Sequence, residues 1–492
     1  MRRTERRGPF TTATRIGAVA VLGYGLLLIP TPTPTPPEAT TEAFAWNQDE
    51  RWLTLEQRFR EVGALGCEQL RRPISDDLGH LEGLLADLAV REIGPEAAVL
   101  DTVEERTFQL APMIAVCREW LPSYTELVTR TRSTIKRQSE RWDLDDGGKD
   151  RLYRLLWGGR AALEEVMLQG PVDSVSPLVR GDDEPSATPA TTWNGVALHS
   201  GDLLVSRGGA PISALIAVGS DYPGNFSHVG LIHVDPVTGE SHVIHSNHNG
   251  LQVESLDDHI AGVKLRMMVL RPRADLPVLL VDPMAPHRAA EWGLRRARQG
   301  HTPYDFAIDH SDDSRMYCSE VPAWAYQNVG ITLWMALSRV SKPGTRAWLA
   351  DLGARHFDLQ EPSDLEYDPQ LRVVAEWRDP GTLYLDHVDN VVTEAMLDGA
   401  DRGDRLTYPL YRLPVMRLAQ LYSMAVRLIG KPGPVPAGLG ATEAARVVTL
   451  RHRHAAIKSR VLAQADEFRA RNGYTPPEWQ LLRFAKEARD AQ

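Results

Sequence analysis

A change of hydrophobic period near residue 195 constrains the fold of this chain more than any other feature. From residue 46 to about 170 apolar residues recur at three- and four-residue spacing, as in Leu78, Leu81, Leu84, Leu85 and Leu88, with similar stripes through 50–70, 96–120, 122–142 and 149–168. That spacing collects the apolar residues on one side of a helix. Pro73, Pro95 and Pro122 stand at starts or breaks of the stripes. Four or five such helices predict a bundle over 46–170, with no visible chemistry of its own. Residues 171–195 are rich in Pro, acidic residues and Ser/Thr, a linker composition. Few contacts are expected to cross such a linker, so a chain starting near 195 is expected to fold alone.

Beyond the linker come short aliphatic and β-branched runs at Gly201–Val205, Ser227–Val234, His242–His245, Leu251–Val253 and Val263–Leu270. Gly, Asp and Pro turns separate them, which predicts an antiparallel sheet. A helix at about 286–299 follows, and another begins near Cys318. Residues 196–395 are therefore expected to form one α+β unit, followed by a helical extension over 396–492. In that extension Val415, Leu418, Leu421, Tyr422, Ala425, Leu428 and Ile429 form one stripe, stopped by Gly430 and Pro432. The stripe is expected to pack on the rest of the protein rather than on a membrane.

Length and composition exclude several classes. A chain of 492 residues suggests two to four domains. At 43% hydrophobic and 24% charged residues it has ordinary globular values, which rules out wholesale disorder. Against 65 acidic residues stand 55 Lys and Arg, and a net charge of -10 argues against a nucleic-acid partner. Three cysteines are too few for a disulfide scaffold or a four-thiolate zinc site. Cys67 and Cys117 either pair in an oxidising compartment or stay as small buried hydrophobes, and both readings stand open.

The N-terminus suggests export. Arg2, Arg3, Arg6, Arg7 and Arg15 precede the apolar run Ile16 to Ile29. As a helix that run spans about 21 Å at ~1.5 Å per residue, short of a hydrocarbon core of ~30 Å. Its length fits the apolar region of a signal peptide. Ala43-Phe44-Ala45 has the form of a cleavage site but lies far from the run, so residues 1–45 are read either as a signal peptide or as an uncleaved membrane anchor on a Pro-rich stalk. Pro30 to Pro37 is expected to detach the run from all that follows. Apart from such an anchor, an acidic exported protein is not drawn to anionic lipid.

Two local features carry chemistry. Six histidines fall between His228 and His259. In a helix His242, His245 and His248 would share a face, but SHVIHSNHNG reads as a strand entering a turn. Positions three apart on a strand point to opposite faces, so His242 and His245 cannot ligate one ion. No HExxH is present and no carboxylate stands at a convincing ligand spacing, so no metal is expected. The second feature is Tyr317-Cys318-Ser319-Glu320. Pro322 is tolerated only near a helix start, so the helix begins close to Cys318. Its free N–H groups are expected to stabilise a thiolate and lower the thiol pKa. A strand histidine and a helix-start cysteine are the two halves of a thiol–imidazole pair.

The motifs GDLLVSRG (201–208), FSHVGLI (226–232), HVIHSNHNGLQVESLDD (242–258), TPYDF (302–306) and YCSEVPAWAY (317–326) resemble, in this order, the permuted papain-fold cysteine amidases. These are the YiiX-like group, related to the NlpC-type cell-wall peptidases and to lecithin:retinol acyltransferase. The resemblance covers roughly 197–385. It implies an NlpC-type antiparallel sheet with a catalytic helix. It also implies Cys318 as nucleophile, His228 as general base and His245 as the group orienting that base, where many relatives carry an acid. Glu240 and His242 are the fallbacks for the third role. Tyr304 matches a tyrosine that lines such sites or helps hold the oxyanion, and otherwise is a packed loop aromatic. Asp202 is read as turn chemistry, and Pro322 stands where relatives have an aliphatic residue.

The implied function is a cysteine hydrolase, exported to the cell envelope, cleaving amide bonds of cell-wall peptides or N-acylated lipids without cofactor or metal. A lipid acyltransferase using the same residues and an inactive envelope-anchored binding module are the alternatives.

Overall fold

The structure, a computed structural model, describes residues 21–42, 44, 48–171 and 175–491. The helical stretch expected after residue 46 forms α1 (Gln48–Gly63), α2 (Cys67–Val90), α3 (Ala98–Val116), α4 (Leu121–Ser139) and α5 (Asp146–Leu168). In α2 the buried residues are Leu70, Ile74, Leu78, Leu81, Leu85 and Leu88, the three-and-four spacing made physical. Cys67 and Cys117 form a disulfide between the start of α2 and the end of α3. A cross-link closing a loop of this kind contributes about 2–4 kcal/mol.

The linker is not featureless. It supplies β1 (Leu178–Arg180) and β2 (Ala190–Trp193), the latter in a hairpin with β3 (Val196–His199). Then follow β4 (Leu203–Gly208), α6 (Pro211–Val218), β5 (His228–Val234), β6 (Ser241–Asn247), β7 (Gly250–Ser255), α7 (Leu256–Ala261) and β8 (Lys264–Pro272). Next are α8 (Pro277–Val281), α9 (Ala285–Gln299), α10 (Glu320–Gln327), β9 (Ser338–Arg339), α11 (Pro343–Leu352), β10 (Asp358–Leu359) and β11 (Leu371–Arg378). The chain ends in α12 (Pro380–Asp401), α13 (Arg412–Arg427), α14 (Ala441–Asn472) and α15 (Glu478–Asp490). The expected boundary at 395/396 falls inside α12.

Seven strands form one sheet in the order β1-β11-β8-β4-β5-β6-β7, every neighbour antiparallel. Alternation sorts its two faces. Leu203, Val205, Val229, Leu231, Ile244, Met268 and Leu270 meet Ala289, Ala290 and Leu294 of α9 and Val321 and Ala325 of α10. Leu204, Ile232, Val243, Met267 and Val269 pack on the other side with Val196, Leu198 and Leu256. The fold is therefore α+β, with helices before and after the sheet domain.

Buried ion pairs tie the bundle to the sheet. Arg160 of α5 bonds Glu376 of β11 at 3.1 Å and also Glu366, and Arg132 of α4 bonds Glu376 at 2.7 Å. Arg266 of β8 bonds Glu164 of α5 at 2.7 Å and Asp386 of α12 at 2.6 Å. Arg207 of β4 meets Asp386 at 3.0 Å. The Lys136 ammonium donates to the Asp368 carbonyl at 2.8 Å. Burial alone pushes the Glu164 carboxyl up, but Arg266 and His387 outweigh it and hold it at about 2. The expectation that few contacts cross the linker is thereby overturned: Arg132, Arg160 and Glu164 before it pair with Glu376, Glu366 and Arg266 beyond it.

Two expectations about apolar and Pro-rich segments also change. Residues 16–20 of the apolar run, and Ala43 and Ala45 of the proposed cleavage site, lie outside the described residues. Among the described residues no helix is long and apolar enough to cross a membrane. The Pro-rich stretch does not hang free. The Pro37 carbonyl accepts from Arg346 at 2.8 Å, Thr33 Oγ1 from Arg446 at 2.6 Å, and the Thr31 N–H donates to Thr442 Oγ1 at 2.9 Å. In α13 the inward side is Met416, Ala419 and Ser423, which meets Val435, Leu439 and Ala444. The stripe expected to pack inward faces solvent instead, with Leu418 60% and Leu421 58% exposed.

Breaking one partner of a buried pair strands the other charge, which costs about 3–5 kcal/mol. Glu376→Ala is therefore expected to lower the unfolding free energy by that amount in a denaturant titration. A chain beginning at residue 195 is expected to aggregate or lose its cooperative melt. The Glu164 pKa is depressed on folding, so its stabilisation is complete above about 4.5 and is lost as the pH falls towards 2.

Candidate active site

Of the sequence-selected residues, His228 and His245 meet at the start of β5. His228 is its first residue. Gly230, two places on, lets β6 approach: a Cβ there would meet Val243 Cγ1 at 2.3 Å and His245 Cβ at 3.7 Å. Across that gap His228 Nε2 and His245 Nδ1 stand 2.8 Å apart in hydrogen-bonding contact. Ring orientation is edge-on, with centroids 5.0 Å apart.

The pairing extends outward. The adjacent strand β7 places Glu254 opposite Val243. One Glu254 oxygen, Oε2, lies 3.3 Å from His245 Nε2 and 3.1 Å from His259 Nδ1 of α7. His245 Nε2 makes no hydrogen bond to Glu254 at that distance, but a proton on this nitrogen faces the carboxylate, and placing it there leaves His245 Nδ1 to accept from His228 Nε2–H. That tautomer leaves His228 Nδ1 as its basic nitrogen. Glu254 and His259 were not selected from the sequence. Both lie within or next to the quoted 242–258 motif, but only strand pairing shows that Glu254 reaches His245.

Cys318 sits two residues before α10, close to the expected helix start. It packs in the same buried cluster as Val229, the residue after His228, and the polar groups of Val229 and Ser319 favour its thiolate. Among the described residues no hydrogen bond joins Cys318 to His228. Cys318 packs with Val229, next to His228 in the chain, while His228 Nε2 is engaged by His245. The expectation of a lowered thiol pKa is corrected. Burial pushes the Cys318 thiol up to about 11, only partly offset by the Val229 and Ser319 donors. The side chain is buried, so loss of water outweighs the field of a short helix.

Burial likewise keeps the imidazoles neutral. His228 is pushed well below the usual histidine range by desolvation, then by His245, His259 and Lys264. His245 falls to about 4 through burial and Lys264, and His259 to about 3. The resting site is a neutral thiol beside neutral imidazoles rather than a preformed ion pair.

The remaining candidates separate. Tyr304 packs in the cluster that holds Cys318, its ring 4.9 Å from that of Phe306. Burial, then Cys318 and Glu320, keep its phenol protonated and able to donate. Glu240 is exposed at the far end of the β5–β6 hairpin, and His242 pairs there with His233, so neither orients His228. Asp202 accepts from the His199 N–H at 2.8 Å and pairs with Arg271 at 2.8 Å, a structural role beyond the turn expected. Pro322 lies inside the first turn of α10 without displacing it.

A metal reading meets mixed geometry. The ligand atoms of His245, Glu254 and His259 lie within 4.8 Å of one another, so a carboxylate does stand beside the histidines, contrary to the sequence reading. The Lys264 ammonium acts on His245, His259 and Glu254, which opposes a dication there.

Residues 197–374 match the family model of the permuted papain-like amidase enzymes, the YaeF/YiiX, C92 family. The match covers that segment, about a third of the chain, and the flanking helical regions lie outside it. The family is one of amidases, so the coarse class is a hydrolase of the cysteine type. Among solved structures the chain is similar to the metalloprotein YiiX from Escherichia coli O157:H7. The two share 22% identity at a TM-score of 0.30, over 36% of this chain and 97% of that one. No curated protein matches the chain.

A thiol held near 11 reacts through its small thiolate fraction. Alkylation of Cys318 by iodoacetamide is expected to be slow at pH 7 and to rise about tenfold per pH unit towards 10. A rate already at its plateau at pH 7 would show a preformed thiolate instead.

Proposed function

We propose that the protein is a cysteine amidase that cleaves N-acyl amides of lipid-like molecules or cell-wall peptides through a thioester on Cys318. The observation that carries the reading is the packing of Cys318 in one buried cluster with Val229, the residue after a histidine that His245 holds at 2.8 Å with Glu254 behind it.

In this mechanism His228 Nδ1 takes the proton from Cys318 as sulfur attacks the amide carbonyl. Catalytic hydrogen bonds are often long in unliganded sites and tighten with substrate. The imidazolium then gives that proton to the leaving nitrogen as the C–N bond breaks. Water, deprotonated by His228, hydrolyses the thioester and returns the proton to sulfur. Glu254 stabilises the positive charge that passes onto His228 through His245. The Tyr304 phenol and the Cys318 backbone N–H are the proposed donors to the oxyanion. An acyl acceptor other than water would make the same residues an acyltransferase. A location in the cell envelope, reached through residues 1–45, is part of the proposal.

Cys318→Ala and His228→Ala are each expected to remove at least about a thousandfold of the activity, and the double variant to be little worse. His245→Ala and Glu254→Gln are expected to cost less and to leave the melt unchanged. The substrates to screen are peptidoglycan fragments and N-acylated lipids, with mass spectrometry for an acyl adduct on Cys318. Because His228 titrates below its usual range, activity is expected to persist at pH values where an ordinary histidine is protonated. Full activity in Cys318→Ala, or loss on chelation with recovery by zinc, overturns the thiol mechanism.

A further inference from the structure

An apolar surface that the site does not explain lies on α13. Val415, Leu418, Leu421, Tyr422, Leu428 and Ile429 stand exposed along one side of the helix and its end, Leu428 at 88%. An apolar face of this extent on a folded protein marks a contact surface. Three observations say what covers it.

First, the charge around it departs from that of the whole chain. Residues 405–442 carry Arg405, Arg412, Arg417, Arg427 and Lys431 and not one Asp or Glu, in a chain of net charge -10. A helix with an apolar face and a basic surround is the pattern of an element lying in an anionic lipid interface. Second, the apolar N-terminal run arrives at the same place. The Ile29 carbonyl accepts from Arg417 of α13, and the Thr31 N–H donates to Thr442 at the start of α14. Residues 21–27 are helical, with Val21 at 73% and Leu26 at 63% exposed, so they do not cover the α13 face. Third, the inward side of α13 reaches the catalytic region. Met416 and Ala419 pack with Leu439 and Phe306, and Phe306 lies against Tyr304.

We propose that the exposed face of α13 seats the protein on an anionic lipid bilayer beside the apolar run that ends at Ile29. This places the Tyr304 side of the site towards lipid and, resting on the amidase reading above, favours an N-acyl amide resident in the membrane as substrate.

The test uses the full chain and its Leu418→Glu/Leu421→Glu variant. Both are floated with vesicles of phosphatidylcholine alone and of phosphatidylcholine mixed with phosphatidylglycerol. Hydrogen exchange is followed over residues 412–429. The expected result is protection of that segment by the mixed vesicles and at least about a tenfold loss of partitioning in the variant. The variant is expected to keep its melt and its Cys318 alkylation rate. Equal partitioning of the variant without protection of 412–429 overturns the proposal and leaves the N-terminal run as the sole anchor. A doubling of mass in solution that the variant abolishes also overturns it, assigning the face to a second copy. Cys318→Ala separates the two readings. It is expected to bind vesicles as the native chain does, so vesicle binding without any amide cleavage by the native chain would sink the amidase reading and leave the docking surface standing. Cleavage of a vesicle-borne N-acyl amide at the same rate by the Leu418→Glu/Leu421→Glu variant would remove the link between docking and substrate.

Discussion

The buried charges between α5 and the sheet hold the molecule in one piece. Arg160, Glu164, Arg266, Glu376 and Asp386 are all nearly inaccessible to water, and each is compensated by residues far away in sequence. A buried ion pair adds little net stability over a well-packed apolar pair, yet losing one partner is costly. The arrangement therefore fixes which elements must be present together. The helical bundle supplies the counter-charges for β8 and β11, and α12 supplies Asp386 for β4 and β8. Because β4 pairs with β5 on one side and β8 on the other, the geometry at His228 rests on that compensation.

The site itself is a short relay on neighbouring strands. β5 carries His228, β6 carries His245 and β7 carries Glu254, so antiparallel pairing alone lines up the three groups. Gly230 permits the close approach of β6 that brings the rings together. Burial then sets the chemistry: it removes water from Cys318 and from the imidazoles, so both rest neutral. In the proposed mechanism a neutral pair makes the histidine a true general base at the moment of attack, with the carboxylate behind it favouring the charge that develops.

Much of the candidate site was legible in the chain because its signals are local. A histidine opening a β-branched run, a second histidine in the next run and a cysteine shortly before a proline-limited helix each depend on a few adjacent residues. Glu254 escaped because its proximity to His245 is a product of strand register, which a linear spacing does not reveal. The thiol pKa was misjudged for a related reason. The helix start that lowers it is a local feature, whereas the desolvation that raises it is summed over side chains from several elements.

The amphipathic elements divide in the same way. Periodicity alone determined that 46–170 is helical, that 201–270 is an antiparallel sheet, and that 412–429 carries an apolar stripe. Which side of each stripe is covered was decided only by the tertiary structure. The stripe of α2 is buried because neighbouring helices meet it, whereas that of α13 is exposed because its opposite side packs against α14 and Phe306. The Pro-rich stretch and the linker follow the same rule: composition set their lack of helix, while Arg346, Arg446 and β11 decided that they lie against the body. Local sequence sets backbone preference, but burial and charge compensation depend on partners hundreds of residues away.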